Sequence, residues 1–234
     1  MCQSVKSSLV FMSLVFFSLV STMDMAKSAV LINGSFESGS FAPNSQNTMT
    51  LNIGATSMTG WTVFNDQIAW IGTPNPFYGL SPTSGSRFLD LTDYAFGIPY
   101  GGVRQTVSTV PSAIYRLSFD VGAYWGGTSK IRVTAGDLDA EATATPVRPQ
   151  VHTWTRFSSL FTAIESNTTI SLLGIQADSS NGFLGLDNVV LESVQGSAAV
   201  PEPATWTFFL VVGGLMSRLR CKRLFCLPRK WNSL

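Results

Sequence analysis

Residues 114–122 read IYRLSFDVG, and their pattern decides the fold class of the chain. Apolar side chains stand at every second position from Tyr115 to Val121, and polar side chains fill the positions between them from Arg116 to Asp120. Successive side chains of a β-strand point to opposite faces, so a period of two predicts a strand with one buried and one exposed face. The stretch therefore predicts a half-buried strand of an antiparallel sheet.

Short runs of the same kind recur on both sides of this strand. The run KIRVTA at 130–135 repeats the alternation, with Ile131 and Val133 on the buried face. The other strand-like runs are VLIN, TMTLNI, IAWIG, RFLDL, VRQTV, WTRFSSLF, TISLLGI and LDNVVLE. Clusters of Gly, Pro, Asn, Ser and Asp separate the runs, and no long helical pattern interrupts them. We therefore predict one all-β domain at residues 29–195, a two-sheet sandwich of the jelly-roll type.

The first 28 residues have the layout of a secretory signal peptide. Lys6 supplies a positive charge, residues 9–20 (LVFMSLVFFSLV) form an apolar run, and residues 26–28 (AKS) offer small side chains at the cleavage spacing. The run is too short for an ordinary membrane span, and it lacks the amphipathic pattern of a core helix. We therefore predict that residues 1–28 form a signal-peptide helix and that the secretion machinery exports the protein.

The charged residues are divided unevenly between the domain and the end of the chain. Residues 29–199 hold seven basic and twelve acidic residues, whereas residues 200–234 hold six basic residues and one acidic residue, Glu202. The near-neutral total of the whole chain hides this division. An acidic domain without a basic stripe is poorly suited to bind nucleic acid, so we predict no nucleic-acid partner.

Cysteine and histidine usage limits the chemistry of the domain. Cys2 lies in the predicted signal peptide, and Cys221 and Cys226 lie near the end of the chain, so residues 29–195 contain no cysteine and no disulfide. A domain of this size can rely on its hydrophobic core instead. His152 is the one histidine, which excludes a His-rich zinc site and any Ser-His-Asp arrangement that does not use it. We interpret His152 as a surface position of a strand.

Three stretches of the domain carry a resemblance to a known family. They are LINGSFESG at 31–39, GSRFLDLTDYAFGIPYGGVRQTVSTVPSAIYRLSFDVG at 85–122, and NGFLGLDNVVLESV at 181–194. In this order they resemble the galactose-binding-like jelly-roll domains of exported and cell-wall-associated proteins of uncertain function. Ser112 departs from the pattern, because relatives usually have glycine there. The resemblance implies the jelly-roll fold, but a fold of this kind does not by itself supply a function.

The same resemblance implies a structural calcium ion and no other cofactor. In jelly rolls of this type the first and last strands lie close together, and carboxylates there often hold calcium with backbone oxygens. Glu37 and Asp187 are the matching carboxylates, and both are hard oxygen donors suited to Ca²⁺. The alternative is that both are exposed carboxylates at strand ends.

The end of the chain combines three features in a fixed order. A linker at 196–203 contains a Val-Pro-Glu-Pro motif, residues 204–217 form an apolar run, and residues 218–234 form a basic tail. The motif residues are Val200, Pro201, Glu202 and Pro203, and the basic cluster consists of Arg218, Arg220, Lys222 and Arg223. A helix of 14 residues rises about 21 Å against a hydrocarbon core of roughly 30 Å, so by itself it spans a membrane poorly. We predict that it lodges in a membrane with the help of its basic flank.

This layout resembles the PEP-CTERM sorting signal of Gram-negative bacteria. The resemblance implies recognition by an exosortase-like membrane enzyme, transient anchoring in the membrane, and a final place at the cell surface or in the extracellular matrix. It also implies a link to exopolysaccharide. The alternative is a plain C-terminal anchor, which the extension LFCLPRKWNSL at 224–234 leaves open because relatives usually end soon after the basic cluster.

Aromatic residues among loop-forming neighbours are the candidate binding residues of the domain. They are Tyr78, Tyr94, Tyr100, Tyr124 and Trp125. A ring on a loop offers an apolar face to a sugar, and neighbouring Asp and Asn side chains can bind sugar hydroxyls. We predict that the exported domain binds extracellular polysaccharide without catalysis. The alternative is that these rings cover the ends of the sandwich, whereas Trp61, Trp70 and Trp154 stand in strand-like runs and are predicted to be core or half-buried.

Two other functions remain possible from the sequence. A glycosidase needs paired carboxylates, and the candidate aspartates are Asp90, Asp93, Asp120, Asp137 and Asp139. The separation of two carboxylates cannot be read from a sequence, and Asp90 stands in the Leu-Asp-Leu element, where a hydrogen-bonding role is favoured. A purely structural matrix protein is the other alternative.

Overall fold

The computed structural model describes residues 29–75, 81–93, 97–124, 127–146, 152–177 and 183–194. These residues form eleven strands and no helix, which confirms the all-β prediction for the part of the chain that the structure describes. No helix among them is long and apolar enough to cross a membrane. The signal peptide and its helix, the linker, the hydrophobic helix and the basic tail lie outside the described residues.

The eleven strands form two antiparallel sheets. In chain order they are β1 (Thr48–Leu51), β2 (Thr62–Phe64), β3 (Ile68–Gly72), β4 (Arg87–Asp90), β5 (Gly102–Ser108), β6 (Ile114–Ala123), β7 (Ser129–Ala135), β8 (Leu138–Ala144), β9 (Thr153–Thr162), β10 (Asn167–Gln176) and β11 (Gly185–Ser193). The six-stranded sheet has the order β1-β3-β4-β11-β6-β9, and the five-stranded sheet has the order β2-β5-β10-β7-β8.

The main core fills the space between the two sheets. Trp61 and Trp70 are fully buried in it, as predicted, and Phe119 of β6 and Leu172 of β10 pack there from opposite sheets. Each buried indole also has a hydrogen-bond acceptor, because Trp70 Nε1–H donates to the Phe36 carbonyl oxygen (3.0 Å). Trp61 Nε1–H donates in the same way to the Asn33 carbonyl oxygen (2.9 Å). The two indoles therefore fix the NGSFE segment against the core.

Strand β6 shows where the predicted alternation holds and where it fails. Tyr115 and Leu117 are buried and Arg116 is exposed, as the period of two predicts. Ser118 and Asp120 of the polar face are buried as well. They are buried because a neighbouring arginine of β9 covers them, so the polar face of this strand is not simply a solvated face.

A second, smaller core lies on the outer face of the six-stranded sheet. It consists of Ala69, Ile71, Phe88 and Phe183. All five residues of β3 are buried, because one face packs into the main core and the other into this smaller core. The chain between β3 and β4 contributes to the cover, since Thr83 and Ser84 both donate backbone N–H groups to the Asp187 carboxylate of β11. The second core supports the candidate site.

Candidate functional site

An aromatic cluster lies where β6 ends and β9 begins, on the outer face of the six-stranded sheet. Tyr124 directly follows β6, His152 directly precedes β9, and their rings are stacked in parallel with centroids 3.9 Å apart and an interplanar angle of 6°. The His152 ring meets the Phe183 ring edge-on at 5.8 Å. Trp154 of β9 meets the Phe88 ring edge-on at 5.9 Å. We call these five residues the aromatic cluster.

Two glycines form the surface on which the cluster rests. Gly122 of β6 pairs with Gly185 of β11 in the sheet register. A Cβ atom at Gly122 would lie 2.9 Å from Trp154 Cζ3, and a Cβ atom at Gly185 would lie 2.8 Å from Phe183 Cζ. Because neither glycine has a side chain, both rings approach the strand backbone closely. The glycine pair thereby sets the height of the rings above the sheet.

The orientation of Trp154 is held at both ends of its ring. Its Nε1–H donates to the carbonyl oxygen of Ser81 (3.1 Å), and its six-membered ring lies against Gly122 and Gly185. The side chain is half-buried, as the sequence predicted. A partly exposed ring that is already ordered loses little side-chain entropy when a ligand packs on it.

A polar cluster adjoins the aromatic cluster on the same sheet face. Arg156 lies two residues beyond Trp154 on β9 and pairs with Asp120 of β6. Its guanidinium donates to Asp120 Oδ1 (3.2 Å), to the Asn188 carbonyl oxygen (2.8 Å) and to Ser118 Oγ (2.8 Å). Two residues along a strand span about 7 Å, so the polar cluster lies within reach of the same ligand as the rings.

Exposure differs between the two charged members of the polar cluster. The Arg156 side chain is 39% exposed, whereas the Asp120 side chain is 9% exposed and also accepts a hydrogen bond from Asn188 Nδ2–H (3.0 Å). Asp120 therefore positions the guanidinium, and Arg156 keeps an open side toward solvent. Rings and donors arranged in this way can hold a sugar ring and its hydroxyls.

Asp90 is a structural carboxylate in this arrangement. It is fully buried and accepts hydrogen bonds from Thr92 Oγ1–H (2.8 Å), Thr92 N–H (3.1 Å) and Leu184 N–H (3.1 Å). Burial raises its pKa to about 6, although the hydrogen bonds from these donors lower the pKa. The carboxylate holds the turn after β4 against the chain that enters β11. This geometry agrees with the hydrogen-bonding role expected for the Leu-Asp-Leu element.

The remaining aspartates considered for a glycosidase are engaged with the protein in different parts of the fold. Asp93 accepts hydrogen bonds from Thr50 and Gln67, Asp137 Oδ1 accepts one from Thr162 N–H (2.6 Å), and Asp139 of β8 pairs with an arginine of β7. Asp139 therefore stands on the five-stranded sheet, whereas Asp90 and Asp120 stand on the six-stranded sheet. The contacts of these carboxylates favour structural roles.

The five predicted loop aromatics have different outcomes. Tyr124 belongs to the aromatic cluster, although its ring is half-buried against His152 and does not stand free on a loop. The expectation of an exposed ring is wrong for Tyr100, which is 7% exposed and packs in the main core, because the chain turns inward before β5. Tyr78, Tyr94 and Trp125 lie outside the described residues.

Sequence reasoning missed most of the aromatic cluster. His152 was interpreted as a surface strand position, but it precedes β9 and its ring is half-buried in the stack. The signal that could have revealed the site is the placement of Gly122 and Gly185 inside apolar strands, since glycine in a strand often marks a close approach of another group.

Glu37 and Asp187, the predicted calcium ligands, both bind the chain segment 83–87. Glu37 Oε1 accepts hydrogen bonds from the backbone N–H groups of Ser86 (2.7 Å) and Arg87 (2.6 Å), and Asp187 Oδ2 accepts one from Thr83 N–H (2.7 Å). Asp187 is fully buried, and burial raises its pKa to about 6. Among the described residues no group of three or more His, Cys, Asp and Glu side chains is arranged to hold a metal ion. The calcium ion stays a prediction.

Two antiparallel sheets with an aromatic cluster on one outer face define a jelly-roll β-sandwich domain. The same fold occurs in a cyclase from Fischerella sp. TAU, solved in complex with 4-(1H-indol-3-yl)butan-2-one. The likeness covers 73% of this chain and 100% of that chain, with a TM-score of 0.50 and 16% sequence identity. Residues 29–192 match the family described as "Protein of unknown function (DUF642)", and the chain belongs to this family.

Two carbohydrate-binding modules are also similar in structure. TmCBM61, solved in complex with β-1,4-galactotriose, has a TM-score of 0.38 and 18% identity over 70% of this chain and 97% of that chain. The CBM22-1 xylan-binding domain of Paenibacillus barcinonensis Xyn10C has a TM-score of 0.39 and 13% identity over 67% of this chain and 100% of that chain. No curated protein matches the chain. At these identities a structural likeness shows the fold alone.

Proposed function

We propose that the domain at residues 29–195 binds polysaccharide without catalysis through the aromatic cluster and the adjoining polar cluster. The observation that carries the proposal is the Trp154 ring, which is ordered over a glycine pair and stands next to the exposed guanidinium of Arg156. Apolar ring faces suit the C–H faces of sugars, and the guanidinium and the amide of Asn188 suit their hydroxyls. The stacked Tyr124 and His152 rings extend the apolar surface.

An open site of this kind binds weakly. We expect a dissociation constant between about 10 and 1000 μM, which corresponds to about 4 to 7 kcal/mol. Because Asp120 and its register partner Asp187 are both already bound by hydrogen-bond donors of the protein, the bound glycan should be released unchanged. The affinity should depend on ring contacts more than on salt concentration, since the charged members of the site are already paired.

The test is a titration of the protein with glycans, with product analysis of the same samples. Suitable probes are the host's own matrix polysaccharide, β-1,4-galactan and xylan. Trp154→Ala should weaken binding about tenfold or more, whereas Leu160→Ala should leave it unchanged, since Leu160 is 50% exposed on the same face of β9 but far from the cluster. Tyr124→Phe should keep the stack and most of the affinity.

The possible outcomes separate the three functions. Loss of binding in Trp154→Ala, with a melting transition that stays cooperative, supports the proposal. Release of shortened oligosaccharides would move the protein to the glycosidase class. No binding of any glycan would leave the domain as a structural matrix protein or a protein-binding module.

We also propose that the chain is exported and processed at its end. Residues 1–28 would act as the signal peptide, and Pro201-Glu202-Pro203 would mark the PEP-CTERM signal for an exosortase-like enzyme, after which the protein reaches the cell surface or matrix of a Gram-negative bacterium. The support is the order of motif, apolar run and basic cluster. Intact-mass analysis of surface protein, with and without the processing enzyme, tests the proposal. If residues 206–234 are still attached to the surface protein in both strains, the end of the chain is a plain C-terminal anchor.

A further inference from the structure

The outer face of the five-stranded sheet is open and polar. Along β5 the side chains of Val103 and Val107 point into the main core, and Arg104, Thr106 and Ser108 are exposed on the other face. This face lies on the opposite side of the sandwich from the aromatic cluster, because the two sheets pack with their apolar faces together.

Arg104 is the distinctive residue of this face. Its guanidinium lies 5.6 Å from the centroid of the Phe64 ring, and among the described residues no carboxylate forms an ion pair with it. Phe64 in turn rests on Gly102, where a Cβ atom would lie 2.8 Å from Phe64 Cε1. The Phe64 ring therefore packs against the guanidinium of Arg104, and the hydrogen-bond donors of the guanidinium remain available for a ligand.

The charges of the five-stranded sheet leave one positive charge uncompensated. Its strands carry Arg104, Lys130, Arg132, Asp139 and Glu141. Arg132 pairs with Asp139 (2.6 Å) and Lys130 pairs with Glu141 (3.3 Å), so the charge of Arg104 remains. In a domain that is acidic as a whole, the strands of this sheet therefore carry one net positive charge, which favours an anionic ligand.

Hydroxyl groups surround Arg104 across the sheet. Thr62 of β2 and Ser171 of β10 are its partners in the two neighbouring strands. Two residue pairs further along the same register, on the same face, the hydroxyls of Thr106 and Thr169 are 2.8 Å apart. The guanidinium can bind a carboxylate through two parallel hydrogen bonds, and the hydroxyls beside it can bind the hydroxyls of the same sugar.

We propose that this face is a second glycan-binding site, which takes carboxylate-bearing polysaccharide through Arg104. The site is independent of the aromatic cluster because it lies on the other sheet. One protein molecule would then hold two polysaccharide chains at once, and this consequence rests on the proposed function of the aromatic cluster. Such a protein would cross-link the polysaccharides of a matrix.

The test compares alginate, a polymer of uronic acids, with carboxyl-reduced alginate as the neutral probe of the same backbone. The full chain in detergent micelles is titrated with each. Arg104→Ala should weaken alginate binding about tenfold, as expected for one hydrogen-bonded charge pair, and 0.5 M salt should weaken wild-type binding to about the same extent. Arg116→Ala is the matched control, because Arg116 is an exposed arginine on the other sheet that pairs with Glu192.

Each outcome decides the proposal. With both polymers measured in the Trp154→Ala background, alginate affinity that falls when Arg104→Ala is added, stays within about twofold when Arg116→Ala is added and is absent for the carboxyl-reduced polymer supports it. Equal affinities of the two arginine variants, or equal binding of both polymers in the Trp154→Ala background, would overturn it. Trp154→Ala separates this site from the first one, since it should remove neutral-glycan binding and leave alginate binding intact. Arg104→Lys keeps the charge and should retain part of the affinity, which distinguishes ligand contact from misfolding.

Discussion

Replacing Gly122 with alanine perturbs the aromatic cluster while leaving all of its side chains in place. The added Cβ would lie 2.9 Å from Trp154 Cζ3, 3.0 Å from Gly185 Cα and 3.1 Å from Phe183 Cε1. The backbone of Gly185 pairs with strands on both sides, so the rings must move away from the sheet. Overpacking of a close-packed site costs about 1 to 3 kcal/mol.

The displacement of Trp154 has consequences for both stability and binding. The displacement lengthens two contacts of the Trp154 side chain. In the unsubstituted protein, its Nε1–H hydrogen bond to the Ser81 carbonyl oxygen is 3.1 Å long, and its ring meets the Phe88 ring edge-on at 5.9 Å. For a domain of this size, a loss of about 1 to 3 kcal/mol lowers the melting temperature by about 2 to 12 °C. We also expect glycan affinity to fall about tenfold, which corresponds to about 1.4 kcal/mol.

Scanning calorimetry and titration with the glycan that the wild type binds most tightly measure the two effects. Gly97→Ala is the control, because a Cβ atom at Gly97 would have no neighbour within 4 Å among the residues that the structure describes. The control should change the free energy of unfolding by less than about 0.5 kcal/mol. If Gly122→Ala and Gly97→Ala have the same melting temperature and the same affinity, the glycine pair does not set the position of the binding ring.

Two further predictions concern buried carboxylates. Burial raises the pKa of Asp90 and of Asp187 from 3.8 to about 6, so between these values the folded protein keeps protons that the unfolded chain has released. Stability should therefore fall as pH rises from about 4 to 6, by up to about 3 kcal/mol for each group, and then level off. Urea unfolding at pH 4, 5, 6 and 7 measures this. Asp90→Asn should remove about half of the pH dependence, because Asp187 still titrates. Identical curves for both proteins would contradict the prediction. For calcium, the melting temperature should rise on addition of the ion and stay unchanged in Glu37→Gln. A wild-type melting temperature that neither calcium nor a chelator alters would remove that prediction.

The strands with large apolar side chains could be predicted from the sequence, whether or not they alternate, whereas the short β2 and the alanine-rich β8 were missed. IYRLSFDVG and KIRVTA became β6 and β7 because their buried faces carry large apolar side chains. Strand β8 was missed because its inward residues are small, such as Ala142 and Ala144, and its outward residues are charged. VLIN resembles a strand, but the Ile32 backbone is bound instead by the Gln105 side chain (2.8 and 2.9 Å).

The candidate site depends on contacts that no local pattern contains. The stack of Tyr124 and His152 arises because the register of β6 and β9 ends at the Ala123–Thr153 pair, which brings together residues 28 positions apart in the chain. The place of Trp154 depends in the same way on Gly122 and Gly185 meeting across two strands. A sequence can identify an aromatic residue near a turn, but it cannot give the strand register that orients the ring.

The indole N–H signals of the 15N-labelled protein report whether the Trp154 ring contacts the glycan, because each tryptophan gives its own signal. Trp61 and Trp70 are fully buried and serve as internal controls, whereas Trp154 is half-buried in the proposed site. On titration with a glycan that binds, we expect the Trp154 Nε1–H signal to shift saturably while the Trp61 and Trp70 signals stay in place. Saturable binding that leaves the Trp154 signal unmoved would contradict this expectation.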